Sequence, residues 1–285
     1  MKKIILSLSV IAAVAAVVVG ATTAFFSDTE TSTGNTFTAG AIDLKIDNES
    51  YYSANVDDEG HLVLNQGTSW LEPLDLNGQF FFNFSDLKPG DWGEDTISLH
   101  VNSNDAYACV DVRLDSDEDV SSTEPELEDG DTDADVDPKG ELANAVDFIW
   151  WVDDGDNVWE VGERLLPAGP LGNLEVDEVA TIALAEPENG GIFGGALTGG
   201  DTYYIGKAWC YGEFNNNEPY SPLDVAGNPD NSGPIVRPVT CDGSDEDNQT
   251  QTDRMTATIS FYAEQARNND GFVCNPHLLE EGLPT

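Results

Sequence analysis

Strict alternation of apolar and polar residues constrains this chain more than any other feature. In Thr96-Ile97-Ser98-Leu99-His100-Val101 the residues Ile97, Leu99 and Val101 fall on one face of an extended strand. Cys109-Val110-Asp111-Val112-Arg113-Leu114 repeats the pattern, and so does Ala41-Ile42-Asp43-Leu44-Lys45-Ile46. Phe80-Phe81-Phe82-Asn83-Phe84 follows the turn signal Asn77-Gly78 and is read as a further strand. Residues 147–151, 179–184, 203–210 and 255–263 complete the set. Gly, Pro, Asn and Asp punctuate the gaps, and no long stretch keeps a 3.6-residue period. The pattern predicts an all-β fold, a jelly-roll-like β-sandwich with long acidic and Asn/Pro/Gly-rich loop insertions. A short helix fits only around residues 141–146.

The N-terminus is organised for export. Lys2-Lys3 precede an apolar run that ends at Gly20, and the small residues Ala21-Thr22-Thr23-Ala24 offer a cleavage site. Residues 1–24 are therefore read as a signal peptide, cut after Ala24 or after Thr23. An uncleaved membrane anchor is the alternative, because the run approaches spanning length. Cleavage would leave no other stretch of membrane length, so no membrane partner is expected afterwards. The four cysteines, Cys109, Cys210, Cys241 and Cys274, have no CxxC spacing and read as two disulfides of an exported protein. Three pairings are possible, and Cys210–Cys241 with Cys109–Cys274 is preferred. The first bond would close a loop of about thirty residues and contribute roughly 3 kcal/mol.

Charge excludes whole classes of partner. The chain holds 54 Asp plus Glu against 11 Lys plus Arg, a formal charge of −43. Nucleic-acid phosphates and anionic membrane surfaces repel such a chain, so neither is an expected ligand. Twelve of the carboxylates fall within residues 114–137, where there is no cation. That run predicts a solvated, flexible loop.

One acidic constellation is more specific. The stretch from Val152 to Glu163 can be set against the twelve-residue EF-hand loop with Glu163 in last place. Asp154, Asp156, Glu160 and Glu163 then fill ligand places, and Val158 supplies a carbonyl. Asn157 falls where the loop needs a left-handed turn. The first place is held by Val152, and Asp153 substitutes for it after a shift. Clustered oxygen ligands favour calcium, which is the expected cofactor. An acidic turn between two strands is the alternative reading.

Catalytic constellations are missing from the sequence. His61, His100 and His277 are far apart, and there is no HExxH, GxSxG or P-loop motif. Paired carboxylates carry no weight in a chain with so many. The expectation is a protein that is not an enzyme. Asn48-Glu49-Ser50, Asn83-Phe84-Ser85 and Asn248-Gln249-Thr250 match the glycosylation sequon.

Ala21-Thr22-Thr23-Ala24-Phe25-Phe26-Ser27-Asp28-Thr29-Glu30, followed by Asn35-Thr36-Phe37-Thr38-Ala39-Gly40-Ala41-Ile42-Asp43-Leu44, resembles the camelysin/TasA family. Leu87-Lys88-Pro89-Gly90-Asp91 and Ile259-Ser260-Phe261-Tyr262-Ala263-Glu264-Gln265 fit it as well, whereas residues 115–248 have no counterpart there. The resemblance implies a secreted jelly-roll subunit of extracellular fibres, as in bacterial biofilm matrices and related archaeal pili. It also implies that the segment freed by signal cleavage becomes a donor strand for the next subunit, with the aromatics Phe25, Phe26 and Phe37 at its ends. Strand addition of this kind satisfies backbone groups on an open sheet edge. The family name carries a claim of metalloprotease activity, for which this sequence offers no zinc motif.

Together these readings predict a signal peptide (1–24), a donor-strand segment (25–38) and a β-sandwich domain (39–276) with insertions at about 114–146 and 212–248. A flexible tail (277–285) follows. The expected partners are other copies of the chain and related fibre or matrix subunits, outside the cell or at its surface. The alternatives are a monomeric calcium-binding surface or adhesion protein and a secreted metalloprotease-like hydrolase.

Overall fold

The computed structural model describes residues 27–31, 42–102, 104–132, 134–166, 168–215 and 233–275. The expected signal peptide, Phe25, Phe26, Phe37, residues 216–232 and the tail lie outside the described residues.

The alternating runs form the strands. In chain order these are β1 (Ser27–Thr31), β2 (Leu44–Val56), β3 (Leu62–Leu64), β4 (Trp70–Leu74), β5 (Trp92–Val101) and β6 (Ala106–Asp119). Then come β7 (Val146–Asp153), β8 (Gly169–Pro170), β9 (Val179–Ala185), β10 (Thr202–Tyr211), β11 (Glu213–Phe214), β12 (Cys241–Asp242) and β13 (Asp253–Gln265). Among the described residues the α-helices are few and short: α1 (Glu124–Asp129) and α2 (Leu142–Ala145), the latter within the stretch expected to be helical. One sheet runs β1-β13-β6-β9, and the other runs β3-β2-β5-β10-β7-β8 with β4 also on β2. All of these strand pairs are antiparallel.

One apolar core joins the two sheets. Ile97, Leu99 and Ile205 enter it from the larger sheet, and Val110, Leu114, Ile259 and Phe261 from the smaller. Within this core lies an ion pair, Lys207 Nζ to Asp95 Oδ1 at 2.6 Å, with both side chains almost wholly buried. The Lys207 ammonium sits 5.6 Å from the Phe82 ring centre and 5.9 Å from that of Trp150. Burial pushes the Asp95 carboxyl up to about 6, although the lysine charge pulls it down. On the opposite face of β10 the Trp151 indole covers Gly206, where a Cβ would lie 2.0 Å from indole Cε2. Only glycine lets that tryptophan lie flat on the sheet.

Two expectations need correction, and one sequence motif loses its meaning. Phe80–Phe84 is not a strand. Consecutive phenylalanines cannot share one face of a pleated strand, and here they wrap the core irregularly. Phe81 packs on Trp70 and Phe261, and Phe84 between Tyr52 and Trp209, while Phe80 stays exposed. The Asn48 sequon is unusable, because Asn48 is fully buried and its amide donates to the Thr68 carbonyl.

The acidic insertion is largely exposed as expected, but it is not an unstructured loop. Strand β6 runs on to Asp119, and α1 follows, with Glu126 accepting from the Thr123 amide and Gly130 (φ +100°) ending the turn. Asn248 and Gln249 hold the helix by donating to Asp129, and the Asp119 amide donates to Pro138 O. An extra residue, Asp115, bulges β6 between the pairs Leu114–Ala257 and Ser116–Thr256. The bulge changes which residues face inward. Before it Val110, Val112 and Leu114 enter the core; after it Asp117 and Asp119 are buried.

Both disulfides form in the preferred pairing, Cys109–Cys274 and Cys210–Cys241. Such bonds persist in oxidising, extracellular surroundings.

Candidate metal site

Strand β7 ends at Asp153 on the outer face of the larger sheet, and the chain turns back so that Leu165 bridges to Trp151. The acidic stretch is thus the connection of a hairpin, laid beside Trp151 and Tyr204. Gly155 (φ +105°) and Asn157 (φ +59°) take the left-handed conformations of the turn, the latter at the expected position.

Each expected ligand has a definite place. Asp153 is buried and fully used: Oδ1 accepts from Trp151 Nε1 at 2.9 Å, and Oδ2 from the Gly155 and Asn157 amides at 2.9 and 3.2 Å. Asp154 is exposed, and Asp156 is half-buried and caps the Val158 amide. One carboxylate oxygen from each of Asp153, Asp154 and Asp156 lies within 4.8 Å of the others. Glu163 closes the loop by accepting from the Asp154 and Glu160 amides at 3.1 and 2.8 Å. Glu160 is turned away to the Arg237 guanidinium, a partner from the segment that Cys210–Cys241 staples down. Val158 is buried. The structure therefore gathers Asp153, Asp154 and Asp156, places Glu163 beside them, and gives Glu160 a different task.

Electrostatics follow from this crowding. Burial, then the charges of Asp153, Asp154 and Asp156, pushes Glu163 up to about 8. Burial, then Asp154, Asp153 and Glu160, pushes Asp156 up to about 6. The Asn157 side chain is buried with neither Nδ2 nor Oδ1 hydrogen-bonded.

Sequence reasoning missed a second acidic group. Asp119, Glu126 and Asp253 also bring carboxylate oxygens within 4.8 Å of one another. They come from β6, α1 and β13, so no sequence motif could have joined them.

Among the described residues, zinc chemistry does not fit either group. Both groups offer carboxylates alone, whereas catalytic zinc is held chiefly by histidine or cysteine with an open position. His100 bridges Asp47 and Thr202 through its two ring nitrogens, at 2.6 and 3.0 Å, and His61 pairs with Asp57 at an exposed turn. The donor sets suit a hard cation.

An antiparallel β protein with two disulfides and all-carboxylate clusters is the class these features define. The camelysin metallo-endopeptidase family matches residues 1–161, and the chain belongs to that family. Comparisons with curated proteins and with solved structures return no match.

Proposed function

We propose that the chain is a secreted, non-enzymatic structural subunit of an extracellular filament or biofilm matrix, a jelly-roll-like sandwich assembling by donor-strand complementation through residues 25–38. One observation supports this most. Within a single chain, Ser27–Thr31 pairs antiparallel with β13, register Ser27 to Glu264 and Thr31 to Ser260. The segment that signal cleavage would leave at the N-terminus thus acts as an edge strand, and β13 is the edge it covers. A strand from another copy can make the same backbone bonds. The partners are then other copies of the chain, with related matrix subunits as further candidates.

The test is electron microscopy of the mature protein. Intact protein should form filaments in calcium and salt, and a variant lacking residues 25–38 should stay monomeric. Monomers only, from the intact N-terminus, would overturn the assembly reading. The carboxylates at Asp153, Asp154 and Asp156 favour a second reading, a monomeric calcium-binding surface protein, and that outcome would select it.

A further inference from the structure

The inward-facing end of the smaller sheet is acidic where the rest of that face is apolar. Asp117 and Asp119 follow the bulge on β6, and Asp253 stands directly opposite Asp119 on β13. Fully buried Glu126 meets them from α1. Asp131 and Glu141 lie at the rim, close enough for the charges of Asp131, Asp253, Asp119 and Asp117 to bear on Glu141.

Glu126 is held by the Thr123 amide and the Thr252 hydroxyl, but several other oxygens here are undersupplied with donors. Asp117 is 7% exposed, and both its oxygens are buried without a hydrogen-bond partner. Buried oxygens of Asp131, Glu141 and Asp253 likewise have none. The second oxygen of Asp253 accepts from the Glu141 and Leu142 amides at 2.7 and 3.0 Å, which anchors the start of α2. The basic neighbour Arg254 points the other way, to Glu118. Carboxylate oxygens buried without donors favour a counter-charge.

We propose that this end of the sheet binds a divalent hard cation, calcium by its all-oxygen donor set, ligated by Asp119, Glu126 and Asp253 with Asp131 and Glu141 completing the shell. The ion would join three separate pieces of chain: the ends of β6 and β13, the acidic insertion with α1, and the entry to α2. Binding would therefore brace the insertion against opening, and it does not depend on filament assembly.

The test is calorimetric titration of calcium chloride into the metal-stripped mature chain carrying Asp154→Asn and Asp156→Asn, which silence the hairpin. One saturable site is expected, weakened by about tenfold or more on adding Glu141→Gln. Asp253→Asn should weaken it further. Glu141 is partly exposed, so its variant keeps the fold if Asp253→Asn does not. Calcium should also slow proteolysis within residues 120–138. No calcium heat in the silenced chain, unchanged affinity with Glu141→Gln, or proton uptake without calcium uptake would each overturn the proposal.

Discussion

The hairpin cluster and the strand-end cluster are both acidic, yet the chain treats them oppositely. In the hairpin the protein supplies its own donors: Asp153 receives three N–H groups, Glu163 two, and Glu160 a guanidinium. At the strand end Asp117 and single oxygens of Asp131, Glu141 and Asp253 are buried with no donor. Carboxylates close in sequence can be wrapped by the amides of their own turn. Carboxylates brought together from distant strands meet fewer amides, because strand amides are already committed to the ladder. The conspicuous motif is therefore the better satisfied of the two, and the inconspicuous cluster has the greater need of a cation.

Four outcomes would break or sharpen that contrast. The largest should come from Arg237→Gln, which leaves Glu160 buried without its partner. A loss of about 3–5 kcal/mol is expected, with or without calcium, in denaturant unfolding. Replacing Cys210 and Cys241 by serine should cost roughly 3–4 kcal/mol by the same measurement, since the segment carrying Arg237 loses its staple. If both variants unfold like the parent, the hairpin is not neutralised by the protein itself.

The third outcome is a change of sign. Glu141→Gln removes one of several crowded charges, so it should raise the melting temperature in chelator and lower it in calcium. The same sign in both conditions would make the two clusters alike. The smallest effect is on pH. Glu163 at about 8, Glu141 at about 7 and Asp156 at about 6 all stand above their ordinary carboxyl values. The metal-free folded state therefore holds more protons than the unfolded chain at intermediate pH. Its stability should be greatest at acid pH and fall as pH rises toward about 8. Melting curves from pH about 5 to about 8 should show this decline, and saturating calcium should flatten it.

Much of the fold was legible because period-two alternation is a local signal. Residues 96–101 and 109–114 lie where expected within β5 and β6, and the cysteines pair as preferred. The hairpin's carboxylates were legible for the same reason, being neighbours in sequence. Three things were not. The Phe80–Phe84 run has strand composition, but its burial is decided by the open end of a core built elsewhere. Glu160 looked like a ligand because its cation, Arg237, comes from another segment. The insertion's order rests on contacts with residues 248–253, which charge counting over residues 114–137 cannot register.

The bulge at Asp115 makes β6 a strand with two reading frames. Up to Leu114 the even positions turn inward, and beyond it the odd ones do. If Asp115 were instead paired in the ladder, the strand would alternate without a break, sending Asp117 and Asp119 outside and turning Ser116 and Glu118 inward; deleting Asp115 would remove the bulge and leave both aspartates facing in. Whether this end of the sheet is acidic is set by one residue left out of the ladder as much as by composition.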